Sequence, residues 1–293
     1  MTRTIEDIVL DHDRRGIGAL RPHVPGDFCA QAARYILGHP GPVVITTGFY
    51  ILMSDAPETD GPPGAFAIGN AVRDLGHPVI YVADRPVAGM MASWLGHAGD
   101  SSRVVDFPIS DDAPSNDASA AAIVDEFGPA LMVSIERCSP DAAGIYRNMR
   151  SRDISPQTAR VDRLFGLGLP SIGIGDGGNE IGMGNLADVV AGADQLPDQP
   201  AAVGCDHLVI SSTSNWGGYG LVAALSLEVG RNLLPNVDTD ADCIRFLVDA
   251  GAVSGVSGEH DYLVDEFTLD ENAAVLTELH ELVDSRLASG SDG

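Results

Sequence analysis

The chain has 293 residues and a formal charge of −25, and all 17 of its basic residues are arginine. Without lysine there is no ε-amine for a Schiff base, for pyridoxal phosphate (PLP) or for a P-loop, and without a basic stripe nucleic acid is an unsuitable partner. The 31 aspartates against 11 glutamates suit a cytoplasm of very high salt, where a Debye length of ~3 Å screens self-repulsion; the bias of a GC-rich genome accounts for the missing lysine but less well for the aspartate excess.

Strand-like runs alternate with helical stretches along the chain. PVVITTG (residues 42–48) leads through a long loop to a helix over Pro62–Leu75. PVIYVAD (78–84) precedes a helix over Pro86–Leu95, and RVVDFPI (103–109) a helix over Asp117–Phe127 that stops at Gly128. ALMVSIE (130–136) is followed by an irregular, arginine-rich segment and a helix over Pro156–Gly166. PSIGIGD (170–176) and HLVISST (207–213) complete six candidate strands, and helices near Gly218–Leu233, Asp240–Asp249 and Asp270–Leu287 close the chain. Short, continuously apolar strands separated by helices predict an α/β fold: one doubly wound, mostly parallel sheet with helices on both faces. With no linker or repeat, residues 1–293 read as a single domain. Its core spans about 26–257, both ends wrap around it, and the tail Ser289–Gly293 is expected to be disordered.

Cys29, Cys138, Cys205 and Cys243 lie far apart, with no C-x-x-C pair, and read as reduced thiols. No apolar run reaches the ~18 residues of a membrane span, and MTRTIEDIVLDHD is too acidic for a signal peptide. The expected protein is soluble and cytoplasmic, with no membrane partner. The eight histidines show no metal-binding spacing.

Most strand runs end in a polar residue or glycine: Thr47-Gly48, Asp84, Glu136, Asp176, Thr213. In an open parallel sheet those ends share the edge where ligands bind. Four stretches there carry chemistry. In GDGGNEIGMGN (Gly175–Asn185), five glycines surround Asp176, Asn179 and Glu180, a loop able to approach a ligand closely. Its carboxylates suit a base or a hard cation. Gly173, Gly175 and Gly178 match a dinucleotide fingerprint, but Asp176 would face the pyrophosphate, so no nucleotide is expected. In ETDGPPGA (Glu58–Ala65), Asp60 and Gly61 sit at a helix start, either as a simple cap or as an anion site. Arg137–Arg152 holds four arginines in sixteen residues, a local positive patch suited to carboxylates. In SSTSNWGGYG (Ser211–Gly220), Ser214 and Asn215 can bond a polar ligand, or the glycines merely ease a helix start. No G-x-S-x-G elbow supports a hydrolase serine.

Taken together, TTGFYI (46–51), ETDGPPGA, SIER (134–137), YRNMRSRDIS (146–155) and GDGGNEIGMGN resemble the D-glutamate cyclase family, specifically its C-terminal, cyclase-like domain. The likeness runs from about Pro42 to Ser257, without the extra N-terminal domain of the mitochondrial members. The family pattern has glycine where this chain has Ser151, and a more basic, glycine-containing run where it reads CSPDAA after Arg137. The resemblance implies cyclisation of D-glutamate to 5-oxo-D-proline with loss of water, formally a hydro-lyase reaction. Such chemistry needs a base for the α-ammonium and neutralisation of the γ-carboxylate. Asp176, Glu180 and Asn179 are the catalytic candidates. Thr47, Gly48, Glu58, Asp60, Gly61, Arg137, Asn148, Arg150, Gly177, Gly178, Ser214 and Asn215 are the candidates for binding substrate. Loop N–H groups are expected to hold the oxyanion, a contribution of ~3 kcal/mol per donor, and Arg137 or the Asp60-Gly61 edge to hold the α-carboxylate. A divalent cation, Mg²⁺ or Mn²⁺, on Asp60, Asp176 and Glu180 is possible. The expected partner is a small acidic amino acid, with self-association into a homo-oligomer open. A metal-dependent hydro-lyase on another small acid and a non-catalytic amino-acid-binding protein are the alternatives.

Overall fold

The computed structural model describes residues 3–290. Six strands form one parallel sheet: β1 (Val43–Thr47), β2 (Val79–Ala83), β3 (Arg103–Asp106), β4 (Leu131–Ile135), β5 (Ser171–Gly175) and β6 (His207–Ile210). All six expected runs are strands, in the spatial order β3-β2-β1-β4-β5-β6. β1 lies between β2 and β4, with Val43 opposite Val79 on one side and Leu131 on the other. The four inner strands are buried along their whole length, which explains why their sequences are continuously apolar rather than alternating.

Alternation appears instead in which core each residue enters. Val43, Ile45, Val133 and Ile135 join a large core, while Val44 and Met132 join a smaller one on the opposite face. The helices are α1 (Ile5–Val9), α2 (Phe28–Gly38), α3 (Pro62–Asp74), α4 (Arg85–Ala98), α5 (Ala113–Phe127), α6 (Ser214–Val229), α7 (Val237–Asp249) and α8 (Leu269–Gly290). Residues of α1, α2 and α8 enter the large core, and Ala120 and Ile123 of α5 enter the smaller one. α6 is buried from Ser214 to Ser226 and packs against α1, α2, α3 and α8. Its glycines serve that packing rather than a ligand. A Cβ on Gly218 would sit 3.0 Å from the Cα of Gly64 in α3, and one on Gly220 would strike Val9.

Several expectations about helices change, α5 among them, which starts at Ala113 rather than Asp117. Pro156–Gly166 is not one helix but a 3₁₀ turn, Ser155–Gln157, and a single turn, Asp162–Phe165. The intervening Ala159 is drawn away by tertiary bonds, its N–H to Asp84 and its carbonyl to Arg137. α6 starts at Ser214, four residues before the expected Gly218. The tail is helical through Gly290, and residues 291–293 lie outside the described residues. All four cysteines are free thiols. Among the described residues no helix is long and apolar enough to cross a membrane.

Candidate active site

In this strand order the connections reverse direction between β1 and β4, and that is where an open α/β sheet leaves a crevice beyond its strand ends. Thr47-Gly48 ends β1, Glu136-Arg137 follows β4 and Asp176 follows β5. The same edge receives the N-termini of α3 and α6, which cap one another. The Asp60 carboxylate accepts from the N–H groups of Ser214 (2.8 Å) and Asn215 (2.8 Å), the first two residues of α6. In return the Asn215 side-chain oxygen accepts from Gly61 and Gly64 of α3, each at 2.9 Å. Asp60 therefore caps α6, not its own helix. With Pro62 and Pro63 lacking N–H groups and the other two amides taken, the start of α3 offers no anion site.

The glycine-rich loop is closed on itself. Glu180 folds back so that its carboxylate accepts from Gly177 (2.6 Å), Gly178 (2.8 Å) and Asp176 (3.3 Å). Gly178, at φ +89°, makes the turn that a side chain would strain. The amides expected to hold an oxyanion thus already hold an internal anion, and Glu180, fully buried, is the loop's clasp. Asn179 projects onto the cavity described below, its Nδ2 donating to the Arg147 carbonyl (2.8 Å).

Beside this loop lies a floor of carboxylates. One oxygen each from Asp60, Glu136 and Asp176 lie within 4.8 Å of one another, all buried. Glu58 and Asp265, 4% and 3% exposed, adjoin them, both approaching Gly255. A single guanidinium reaches in: Arg15, from the loop after α1, donates to Asp176 (2.6 Å) and to Asp265. The Ser214 hydroxyl donates to Glu136 (2.5 Å). Three buried carboxylate oxygens still have no hydrogen-bond donor, one each on Glu58, Asp176 and Asp265. Burial pushes Glu58, Glu136 and Asp176 well above the usual carboxylate range. Neighbouring carboxylates add to this in each case, and Arg15 opposes it at Glu58 and Asp176. Asp60 is pushed up to about 7 by burial and by Asp265, against the pull of the α6 amides.

Above the floor opens a cavity of about 270 Å³, room for a small amino acid. Its walls include Glu58, Glu136, Arg15, Asn148, Asn179, Arg150 and Arg152, with apolar flanks from Phe49, Ile51 and Met149. Asn148 shapes the rim, its side-chain oxygen accepting the backbone N–H of Arg150 and of Arg152, each at 3.0 Å. Between them Ser151 sits at φ +57°, a left-handed conformation that glycine adopts more easily. Both arginine side chains are exposed, and among the described residues neither has a hydrogen-bond or ion-pair partner.

Arg137 is not at the rim. It is 1% exposed and turned beneath the site, its guanidinium held by Asp84 (2.8 Å) and by the carbonyls of Gly48 and Ala159 (both 2.9 Å). Gly48 thus serves Arg137, and a Cβ on it would strike Val87. Thr47 is buried, with its hydroxyl unpartnered. Of the expected residues, Glu58, Asn148, Arg150 and Asn179 line the cavity, and Asp60, Asp176 and Ser214 touch its floor. Gly61, Gly177, Gly178, Glu180, Asn215 and Arg137 hold the frame. Sequence reasoning missed Glu136, Arg15, Arg152 and Asp265. A signal existed for Glu136, the polar end of β4, and for Arg152, inside the arginine-rich stretch; Arg15 and Asp265 lie in segments without a motif.

A family model described as D-glutamate cyclase-like, C-terminal, matches residues 5–280. The human mitochondrial D-glutamate cyclase is 30% identical over 87% of this chain; the chain spans 47% of that protein's length. An actinorhodin polyketide ketoreductase solved with NADPH aligns over 85% of this chain and 92% of its own at 16% identity and a TM-score of 0.31, a likeness too slight to bear on the site. By the extent of the family match, the chain belongs to the D-glutamate cyclase-like family.

Proposed function

We propose that the protein cyclises D-glutamate to 5-oxo-D-proline, releasing water. The observation that carries this reading is the separation of opposite groups across one cavity: exposed guanidinium groups at its rim and buried carboxyls at its floor. A substrate with an ammonium group and two carboxylates matches both ends, and the human relative is named for that substrate. The α-carboxylate docks on Arg150 and Arg152, where charge-assisted bonds fit a guanidinium fork. That leaves the ammonium and the γ-carboxylate over Glu58 and Glu136.

The reaction then needs one group to take a proton from the ammonium and another to give one to the departing oxygen. The amine nitrogen bonds to the γ-carbon, one γ-oxygen leaves as water, and both of its hydrogens come from the nitrogen. Glu58 and Glu136 suit this exchange because both border the cavity and burial among other carboxylates favours their protonated forms. Arg15, on the same wall, neutralises the γ-carboxylate, which is otherwise a poor electrophile. Holding the amine against the γ-carbon supplies orientation. In this assignment Glu136 replaces Glu180 in the proton-transfer role, while Asp176 tunes Arg15 from below.

The test is incubation with D- or L-glutamate in molar KCl and detection of 5-oxoproline by mass. Product from the D-isomer is expected. Saturable binding with no product from either isomer would contradict the reading. We also place the protein in a salt-rich cytoplasm, a reading supported by its charge and four free cysteines. A melting temperature that rises with KCl is the expected result.

A further inference from the structure

The floor carries more negative charge than its one bound arginine can balance. Glu58, Asp60, Glu136, Asp176 and Asp265 share a buried region with Arg15; Arg137 is held by Asp84 on the far side. Buried ionised carboxylates are costly unless they are paired or coordinate a metal. Here the oxygens divide. On Asp176, Oδ1 takes Arg15 at 2.6 Å while Oδ2 has no partner although the residue is fully buried. On Glu136, Oε2 takes the Ser214 hydroxyl, and the side chain also borders the cavity. On Asp60 both oxygens are oriented by backbone N–H groups, which fixes the carboxylate without protonating it.

A separate unpartnered oxygen lies nearby, next to Gly61 and the Glu136 Cβ. Thr47, at the tip of β1, is fully buried and its hydroxyl has no partner. That hydroxyl lies only 2.5 Å from where a Cβ on Gly61 would sit, beside the Glu136 Cβ at 2.8 Å from the same point. It is thus a neutral oxygen left free in the space next to Asp60 and Glu136.

We propose that Asp60, Glu136 and Asp176, with the Thr47 hydroxyl beside them, form a resident site for one hard divalent cation of the Mg²⁺ or Mn²⁺ class, open toward the cavity through Glu136. The donors are all oxygens, with no imidazole or thiolate in the group, which selects hard cations. The set differs from that expected from the sequence: Glu136 enters, and Glu180 leaves because its oxygens are bonded to loop amides. The cation would balance the floor charge and act as a Lewis acid for a ligand oxygen entering from the cavity; with Glu136 ligating it, the proton transfers would fall to Glu58 on the same wall. The site stands whether or not D-glutamate is the substrate, and its test reads metal rather than product.

The experiment titrates Mn²⁺ into EDTA-stripped protein in molar KCl, which screens diffuse binding to the acidic surface, and follows free Mn²⁺ by electron paramagnetic resonance. One saturable site per chain, displaced by Mg²⁺, is expected. Glu136→Gln and Asp176→Asn, each checked for native circular dichroism, should weaken binding by about tenfold or more, and Arg152→Ala should not. Absence of a saturable site in the unaltered protein overturns the proposal without reference to any variant. So does unchanged affinity in both folded floor variants.

Discussion

The floor and the rim of the cavity hold opposite charges that do not meet. At the floor, carboxylates are buried, crowded and short of donors; at the rim, Arg150 and Arg152 are exposed and have no counter-charge. Elsewhere the same protein pairs its arginines readily, as at Arg147 with Asp141 or Arg34 with Asp27 and Glu228. In a chain of charge −25, leaving two arginines unpaired beside a carboxylate cluster requires that the backbone hold them apart. Asn148 does so by gripping the amides of Arg150 and Arg152. The gap is the size of an amino acid, and a ligand carrying both charges closes it.

The comparison breaks most sharply at Glu136. Glu136→Gln keeps the shape but cannot exchange a proton, and turnover measured as 5-oxoproline should fall by about 10²-fold or more. Undiminished turnover in the folded variant would remove Glu136 from the chemistry. At the rim, Arg150→Ala and Arg152→Ala should each lower kcat/KM by about tenfold, the size of one charged hydrogen bond. Most of that loss should appear in KM, with the melting temperature unchanged because neither side chain bonds to the protein. A fall in kcat alone would move the arginines from docking to catalysis.

The smallest effect is on stability against pH. A carboxyl whose pKa is raised on folding stabilises the protein fully below its unfolded value and loses that contribution as pH rises through its folded value. For Asp60 the window runs from the ordinary aspartate range to about 7, and Glu58, Glu136 and Asp176 shift in the same direction. The melting temperature of metal-free protein should therefore fall between about pH 4 and pH 7, and fall less in Glu58→Gln, which stays neutral. Parallel profiles would show that the Glu58 carboxyl does not titrate with the floor.

How legible this was from sequence depended on whether the cause was local. The six strands were readable because each is a short apolar run, and the binding edge because most runs end in a polar residue or glycine. The start of α6 was read four residues late: the Ser-Thr run before Ser214 is a local cue, but the carboxylate that caps its first amides is Asp60, more than 150 residues away. Arg137 and Arg150 look alike in sequence and differ entirely in place. The backbone leaves the extended strand at Glu136, whose φ of +44° is left-handed, and there Glu136 meets the cavity while Arg137 turns toward Ala159. Glu180 was recognised as important for its place among glycines, but its three amide bonds make it a clasp for the loop. Arg15 could not be found, because its role arises only when the N-terminal segment packs across the sheet edge.

The most direct test is a crystal structure of Glu136→Gln with D-glutamate bound. The account predicts a ligand carboxylate within about 3 Å of the Arg150 or Arg152 guanidinium and the ammonium against Glu58. A ligand lying outside this cavity, or one with its ammonium turned to the arginines, would contradict it.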